Sequence, residues 1–295
     1  MGELLPTSVL ASGTLRRPAA RRWLRALRRT PVALIGAVTI AFIVAIALLA
    51  PLLAPALPSA QIATPLLPPG KAFLAGTDQL GRDELSRLIF GARVSLYVGV
   101  LAVAVALALG GTTGLVAGFY GGWLDNAAMR VMDVLFSLPA LVLAIAITAV
   151  LGPSLTNVML AIGIVYAPTF ARIARGPTLA VVRLPYIEAA RAIGASTPAI
   201  VVRHVVPNIS APLLVQTTVS LSTAILTEAA LSFLGLGTQP PTPSWGLMLS
   251  DARQYMLIDP WIAVLPGCAI AVTVLGFNLL GDGLRDLLDP RIRIL

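Results

Sequence analysis

One cysteine, one histidine and one lysine occur in 295 residues, and only 12% of the chain is charged. Each scarcity closes off a class of chemistry. Cys268 sits in an apolar run with no second cysteine to pair with, so the chain has no internal disulfide and no thiolate metal framework. The lone His204 leaves no histidine cluster for a metal and no recognisable base beside a nucleophile. Lys71 follows Gly70, but Ala72 succeeds it and position 65 is proline, so the phosphate-cradling pattern GxxxxGK(S/T) is absent and no ATP hydrolysis is expected of this chain alone. The run Asp78–Glu84, DQLGRDE, lacks the alternate-position acids and the distal glutamate of a calcium loop.

What fills the sequence instead is hydrocarbon: 57% of residues are hydrophobic and mean hydropathy is +0.90, far above a soluble domain of this length. The chain is expected to be an all-α membrane protein. Its net charge of +8 and pI near 10.7 come almost wholly from arginines beside apolar runs, so acidic lipid is the expected counter-charge and nucleic acid is not.

Residues 1–30 carry seven arginines and no acid after Glu3, directly ahead of an apolar run over 32–53. A cleavable signal peptide has an apolar core of roughly 7–15 residues; this run is longer and predicts a first transmembrane helix behind a cytoplasmic basic tail. Further spans are predicted over 93–119, 137–151, 156–174, 211–235 and 261–281, six in total. Residues 137–174 also admit one bent helix, although Gly152-Pro153 favours a hairpin. Three segments follow: the tail 1–30, the first span with its external loop 31–92, and a five-helix core 93–295. Sixteen of the 21 Lys and Arg fall on the predicted inner side, which places both termini in the cytoplasm.

The loops carry their own signals. Residues 54–75 are rich in proline and small residues, and Thr77-Asp78 with Gly81-Arg82-Asp83 reads as a turn into a helix over 84–90. Between the second and third spans, a short amphipathic helix is expected at the inner membrane face, with Trp123 as an interface anchor. Pro240, Pro241 and Pro243 stiffen an external loop ahead of Trp245. Glu228 is the one carboxylate deep in a span; it either pairs near the external end or faces a cavity or a partner, at a cost of about 2.5–3.5 kcal/mol at mid-membrane if left alone. Asn278 and Asp282 read as packing or interfacial groups. Gln216, Thr217, Thr218, Ser220, Ser222 and Thr223 make the fifth span hydroxylic, which suits either a solute pathway or close helix packing. With no second titratable partner for Glu228, an ion-coupled secondary transporter has no proton relay.

The long polar-sided interruption is 183–212. Tyr186, Ala189, Ala190 and Ile193 form one apolar helical face, with Glu188 and Arg191 on the other. Pro185 opens the helix, Gly194 ends it where a left-handed cap needs no Cβ, and Ser196 or Thr197 with Pro198 starts a second helix that Arg203, His204 and Pro207 close. A DNA-reading helix-turn-helix would have the same outline, but spans on both sides would hold it against the membrane.

The residues Glu188, Ala189, Ala190, Gly194 and Pro207 resemble the EAA loop of ABC-importer permeases. GTDQLGRDELSRLIFGARVSL (76–96) and EAALSFLGLGTQPPTPSWGLML (228–249) are similar to the dipeptide, oligopeptide and nickel branch, and with the tail and first span the likeness covers nearly the whole chain. The resemblance implies a type I importer permease fold in the cytoplasmic membrane of a prokaryote. It implies a second homologous permease, two cytoplasmic ATP-binding subunits that hold ATP and Mg, and an extracytoplasmic solute-binding protein, with no cofactor in this chain. The solute it implies is a di- or oligopeptide; nickel chelates, glutathione or another small solute are carried by relatives. Tyr186, Glu188, Ala189, Ala190, Arg191, Gly194 and Pro207 are then the ATPase-coupling residues. Asp78, Gly81, Arg82, Asp83, Glu228, Pro241 and Trp245 are expected at the external contact or gate.

Overall fold

A computed structural model describes residues 30–288, and every described element is helical apart from two isolated bridges, Gln61 with Arg82 and Thr77 with Asp83. Helix α1 spans Pro31–Leu48, with a further turn at Ala50–Leu53. Helix α2 runs Glu84–Tyr120 and α3 Gly122–Phe136; α4 is Ala140–Leu151 and α5 Leu155–Val182. The short α6, Pro185–Ala192, precedes α7, Thr197–Phe233; α8 is Trp245–Ala252 and α9 Trp261–Leu288.

Five of these, α1, α2, α5, α7 and α9, are long and apolar enough to cross a membrane, while α3 and α4 qualify only as a pair bent by 90°. Twelve residues of α4 make only about 18 Å, short of a hydrocarbon core of about 30 Å. Packing decides what the pair does. A Cβ on Gly110, Gly114 or Gly118 of α2 would strike Ala167, Ala171 and Thr178 of α5, so those two helices rise in the same direction. The chain between them must therefore return across the bilayer, and α3 with α4 is the only segment available. Ser95 to Glu228 with Gly99 against Ile225 sets α7 antiparallel to α2; Gly281 against Thr218 with Ser222 Oγ to Asn278 Oδ1 at 2.7 Å sets α9 antiparallel to α7; Gly283 against Ala33 with Gly276 against Ile40 sets α1 antiparallel to α9. The result is six crossings, with Pro31, α6 and Leu288 at one face, labelled inner, and α8 with the 54–83 loop at the other, labelled outer.

Several boundaries differ from the expected ones. The second span begins at Glu84 rather than 93, absorbing the short helix expected over 84–90, because Asp83 caps it by accepting from Ser86 N at 2.8 Å and its early charges are paired. The fifth begins at Thr197 rather than 211. Pro207 does not close a hairpin; it follows a π-helical turn, Val201–Val205, whose wider ring lets the helix pass a residue that cannot donate. Likewise α5 extends past 174 to Val182, and α9 past 281 to Leu288. Gly152, at φ +87°, breaks 140–182 into two helices, as the hairpin reading requires. The basic tail and Arg291 and Arg293 lie outside the described residues.

Candidate functional sites at the inner and outer ends

At the inner end, α6 is anchored by a residue that periodicity overlooked. Ile187 is fully buried, in a cluster with Ala174, Val181, Ile200, Val205 and Ile209 that ties α6 to α5 and α7. Ala190 and Ala195 pack on the same cluster. The outline of a buried face was present in the 187/190 spacing, but Tyr186 and Ile193 carried more apolar weight and drew the reading to their side. Those two point outward: Tyr186 is 44% and Ile193 86% exposed. The helix thus has two apolar faces, one spent on its own bundle and one free.

The turn has the expected chemistry. Gly194 lies at φ +82°, its N–H bonding Arg191 O and the Ala195 N–H bonding Ala190 O, each at 3.0 Å, the paired bonds of a Schellman cap. Arg191 stacks its guanidinium 5.7 Å from the Phe119 ring, and Tyr186 meets His204 at 5.6 Å between centroids. Glu188 and Ala189 are exposed, and Glu188 is unpaired among the described residues. Pro207 is exposed within α7, a helical turn beyond the unit. Nearby, α3 is strapped to α5 by Arg175 and Asp125 in a two-pronged pair at 2.5 and 2.6 Å, and by Arg172 to Asp133 at 2.8 Å.

The outer end is built in the opposite sense. Asp78, Arg82, Asp83, Glu84 and Arg87 are all buried. Asp78 accepts from Arg82 Nε at 2.5 Å and lies 3.2 Å from Arg87 Nη1; Arg87 Nη2 reaches Asp251 of α8 at 3.1 Å. Gly81, at φ +72°, lies over Ala63 with no room for a Cβ, which lets the 54–83 loop fold onto the bundle. Arg87, Asp251 and Ser95 were not singled out from sequence; a charged i, i+3 pair, Glu84 and Arg87, abutting a span was the available signal.

Glu228 is fully buried, and its carboxylate accepts from Ser232 at 2.7 Å, Ser95 at 3.3 Å and Thr238 at 3.5 Å. It ties α7 and α2 to the outer loop. Trp245 is buried, its indole N–H donating to Leu88 O at 3.0 Å, so the surface of that loop is formed by Gln239, Pro240, Pro241 and Thr242. No group of three or more metal-ligating side chains occurs among the described residues.

Comparison with known proteins places this architecture. Residues 110–294 match the model for the binding-protein-dependent transport system inner membrane component, and residues 19–69 that for the N-terminal TM domain of oligopeptide transport permease C. The chain belongs to this permease family. The permease is 44% identical to the dipeptide transport system permease protein DppC of Alkalihalophilus pseudofirmus, over 92% of this chain and 90% of that one. It is 48% identical to the di/tripeptide permease DppC of Pseudomonas aeruginosa over 88% of both chains, and 48% identical to the glutathione transport system permease GsiD of Pectobacterium atrosepticum over 76% and 75%. Among solved structures, the MetNI methionine ABC transporter in an inward-facing conformation superposes with a TM-score of 0.55 at 19% identity, covering 69% of this chain and 97% of that one, a likeness of fold.

Proposed function

We infer that the permease carries di- or oligopeptides inward across the cytoplasmic membrane, forming the path with a second homologous permease. ATP is hydrolysed, with Mg, on two cytoplasmic subunits docked at 183–207, and an extracytoplasmic binding protein delivers the solute. The observation that carries the coupling role is the free apolar face of α6: a rigid, Schellman-capped helix, moored by Ile187, that leaves Tyr186 and Ile193 uncovered. A helix of this kind transmits force because its own side is already packed. The peptide class is supported by the relatives named above, and glutathione, itself a short peptide, is the second reading that GsiD supports. An ion-coupled cycle is disfavoured by Glu228, whose carboxylate is enclosed by hydroxyls with no titratable neighbour hydrogen-bonded to it.

The inner face is cytoplasmic on this reading because arginine gathers there. On the outer side, the Gln239–Thr242 tip and the exposed Leu80 of the 78–83 turn meet the binding protein or gate. Uptake of labelled dipeptide and of glutathione, by the permease reconstituted with a second permease, ATPase subunits and a binding protein, tests the solute. ATP-independent uptake would sink the assignment. Topology is tested in a Cys268→Ser background with single cysteines at the exposed Ser59, Ser196 and Thr242. An impermeant thiol reagent should label the first and third on intact cells, and labelling at Ser196 reverses the orientation.

A further inference from the structure

The exposed surface of the spans is of two kinds. On α1 and α9 it is mostly hydrocarbon, Ile35, Val38 and Phe42 on one and Val264, Val272 and Leu275 on the other, and the exposed Asn278 of α9 is held by Ser222. On α7 the exposed surface is mixed. Beside the exposed Leu214 and Leu226, Gln216, Thr223 and Thr227 recur at i, i+7 and i+11, and Thr223 lies about 15 Å of helix below Phe233, near mid-membrane. Packing explains the other hydroxyls of this helix but not these. Thr218 and Ser222 are buried against α9, beside Gly281 and Asn278, whereas Thr223 is exposed and Gln216 and Thr227 are partly so.

Following the protons gives this strip its chemistry. Thr227 donates to Thr223 O at 2.8 Å, so at the 2.9 Å contact between Tyr166 Oη and Thr227 Oγ1 the tyrosine is the donor. Thr223 donates to Ser220 O at 3.1 Å, and Gln216 Nε2 to Ser220 Oγ at 3.0 Å. The hydroxyl protons of Tyr166, Thr223 and Thr227 are therefore used inside the protein, and what the strip offers is their remaining lone pairs together with the amide of Gln216, which keeps its oxygen and a second N–H. Such a strip is disfavoured against lipid, which donates nothing. We propose that Tyr166, Gln216, Thr223 and Thr227 form this chain's wall of the solute path, accepting hydrogen bonds from N–H groups of a passing peptide. The wall is uncharged, so it holds backbone amides weakly and without regard to side chain, as a path for varied peptides requires. The substrate class rests on the function proposed above; the location of the wall does not.

The test uses the assembled transporter with Cys268→Ser. The thiolate is the reactive form, so a cysteine facing water reacts faster than one facing lipid, and Thr223→Cys should be labelled by a charged methanethiosulfonate roughly tenfold faster than Val272→Cys on α9. Peptide together with binding protein and ATP should change the Thr223→Cys rate and leave Val272→Cys alone. Thr223→Val, which keeps the shape and removes the acceptor, should slow dipeptide uptake several-fold with the amount of assembled complex unchanged. Equal labelling at the two positions, or unimpaired uptake by Thr223→Val, overturns the proposal. A wild-type complex that carries no peptide overturns the substrate class instead, and the labelling rates then decide the wall on their own.

Discussion

The two ends of this bundle invert the usual distribution of residues. At the outer end five charged side chains, Asp78, Arg82, Asp83, Glu84 and Arg87, are buried; at the inner end Tyr186 and Ile193 are left in the open. The outer end is closed on itself, because Asp78 lies against both Arg82 and Arg87, Arg87 reaches Asp251, and the loop is hydrogen-bonded to the start of α2. The inner end is closed only on one side. An end cross-linked by buried ion pairs holds position, and an end with an uncovered apolar face has a surface to offer a partner. The difference separates a fixed frame from a joint, and it can be broken from either side.

The largest effect is expected at the frame. Arg87→Ala leaves Asp78 and Glu84 buried with one cation fewer, a change that costs about 3–5 kcal/mol when a buried pair loses one partner. The variant should be recovered from membranes in much lower yield, with a lower melting temperature in detergent. Normal yield would show that the network is not holding the outer loop. Next comes Ile187→Ala, at about 2–4 kcal/mol for a fully buried aliphatic side chain, a cost confined to the mooring of α6. Here the expected readout is proteolysis near 183–196 at wild-type rates of insertion.

These two residues also mark where sequence stopped being informative. The spans were legible because hydrocarbon must be continuous over about twenty residues, and Gly194 was legible because only glycine takes φ +82° without strain. The start of α2 was not. Arg87 looks like an end-of-span charge until Asp78 and Asp251, distant in sequence, are seen to neutralise it. Nor was the start of α7, since Pro207 reads as a helix stop and the π turn that accommodates it leaves no compositional mark. Of the apolar face expected on α6, Tyr186, Ala189 and Ile193 are exposed, while Ile187, with Ala190, holds the helix to the bundle. A helix with two apolar faces gives one periodicity, and choosing between them takes the neighbours.

Gly194→Val should have a smaller effect on folding. A Cβ there meets nothing within 4 Å, so the cost is backbone strain of about 1–2 kcal/mol and not a clash within the chain. Membrane levels should be near normal, with transport and binding-protein-stimulated ATPase activity reduced, because the angle between α6 and α7 is no longer held. Wild-type transport would remove the turn from the coupling role.

Ile193→Asp is the sharpest way to separate joint from frame, because its expected effect on the chain itself is close to nil. The side chain is 86% exposed and belongs to none of the buried clusters, so replacing it should change stability by no more than about 0.5 kcal/mol. Everything it does must then come from the partner. A carboxylate placed on a surface that another protein buries has to be desolvated without a counter-charge, and that penalty falls only on the complex. The variant should insert, purify and melt like wild type, yet retain much less ATPase on co-purification than either wild type or a charge change at the lipid-distant Gln239. If ATPase recovery is undiminished, the uncovered face of α6 is not the docking face, and Glu188→Lys, which alters the adjacent exposed position, becomes the variant that locates it.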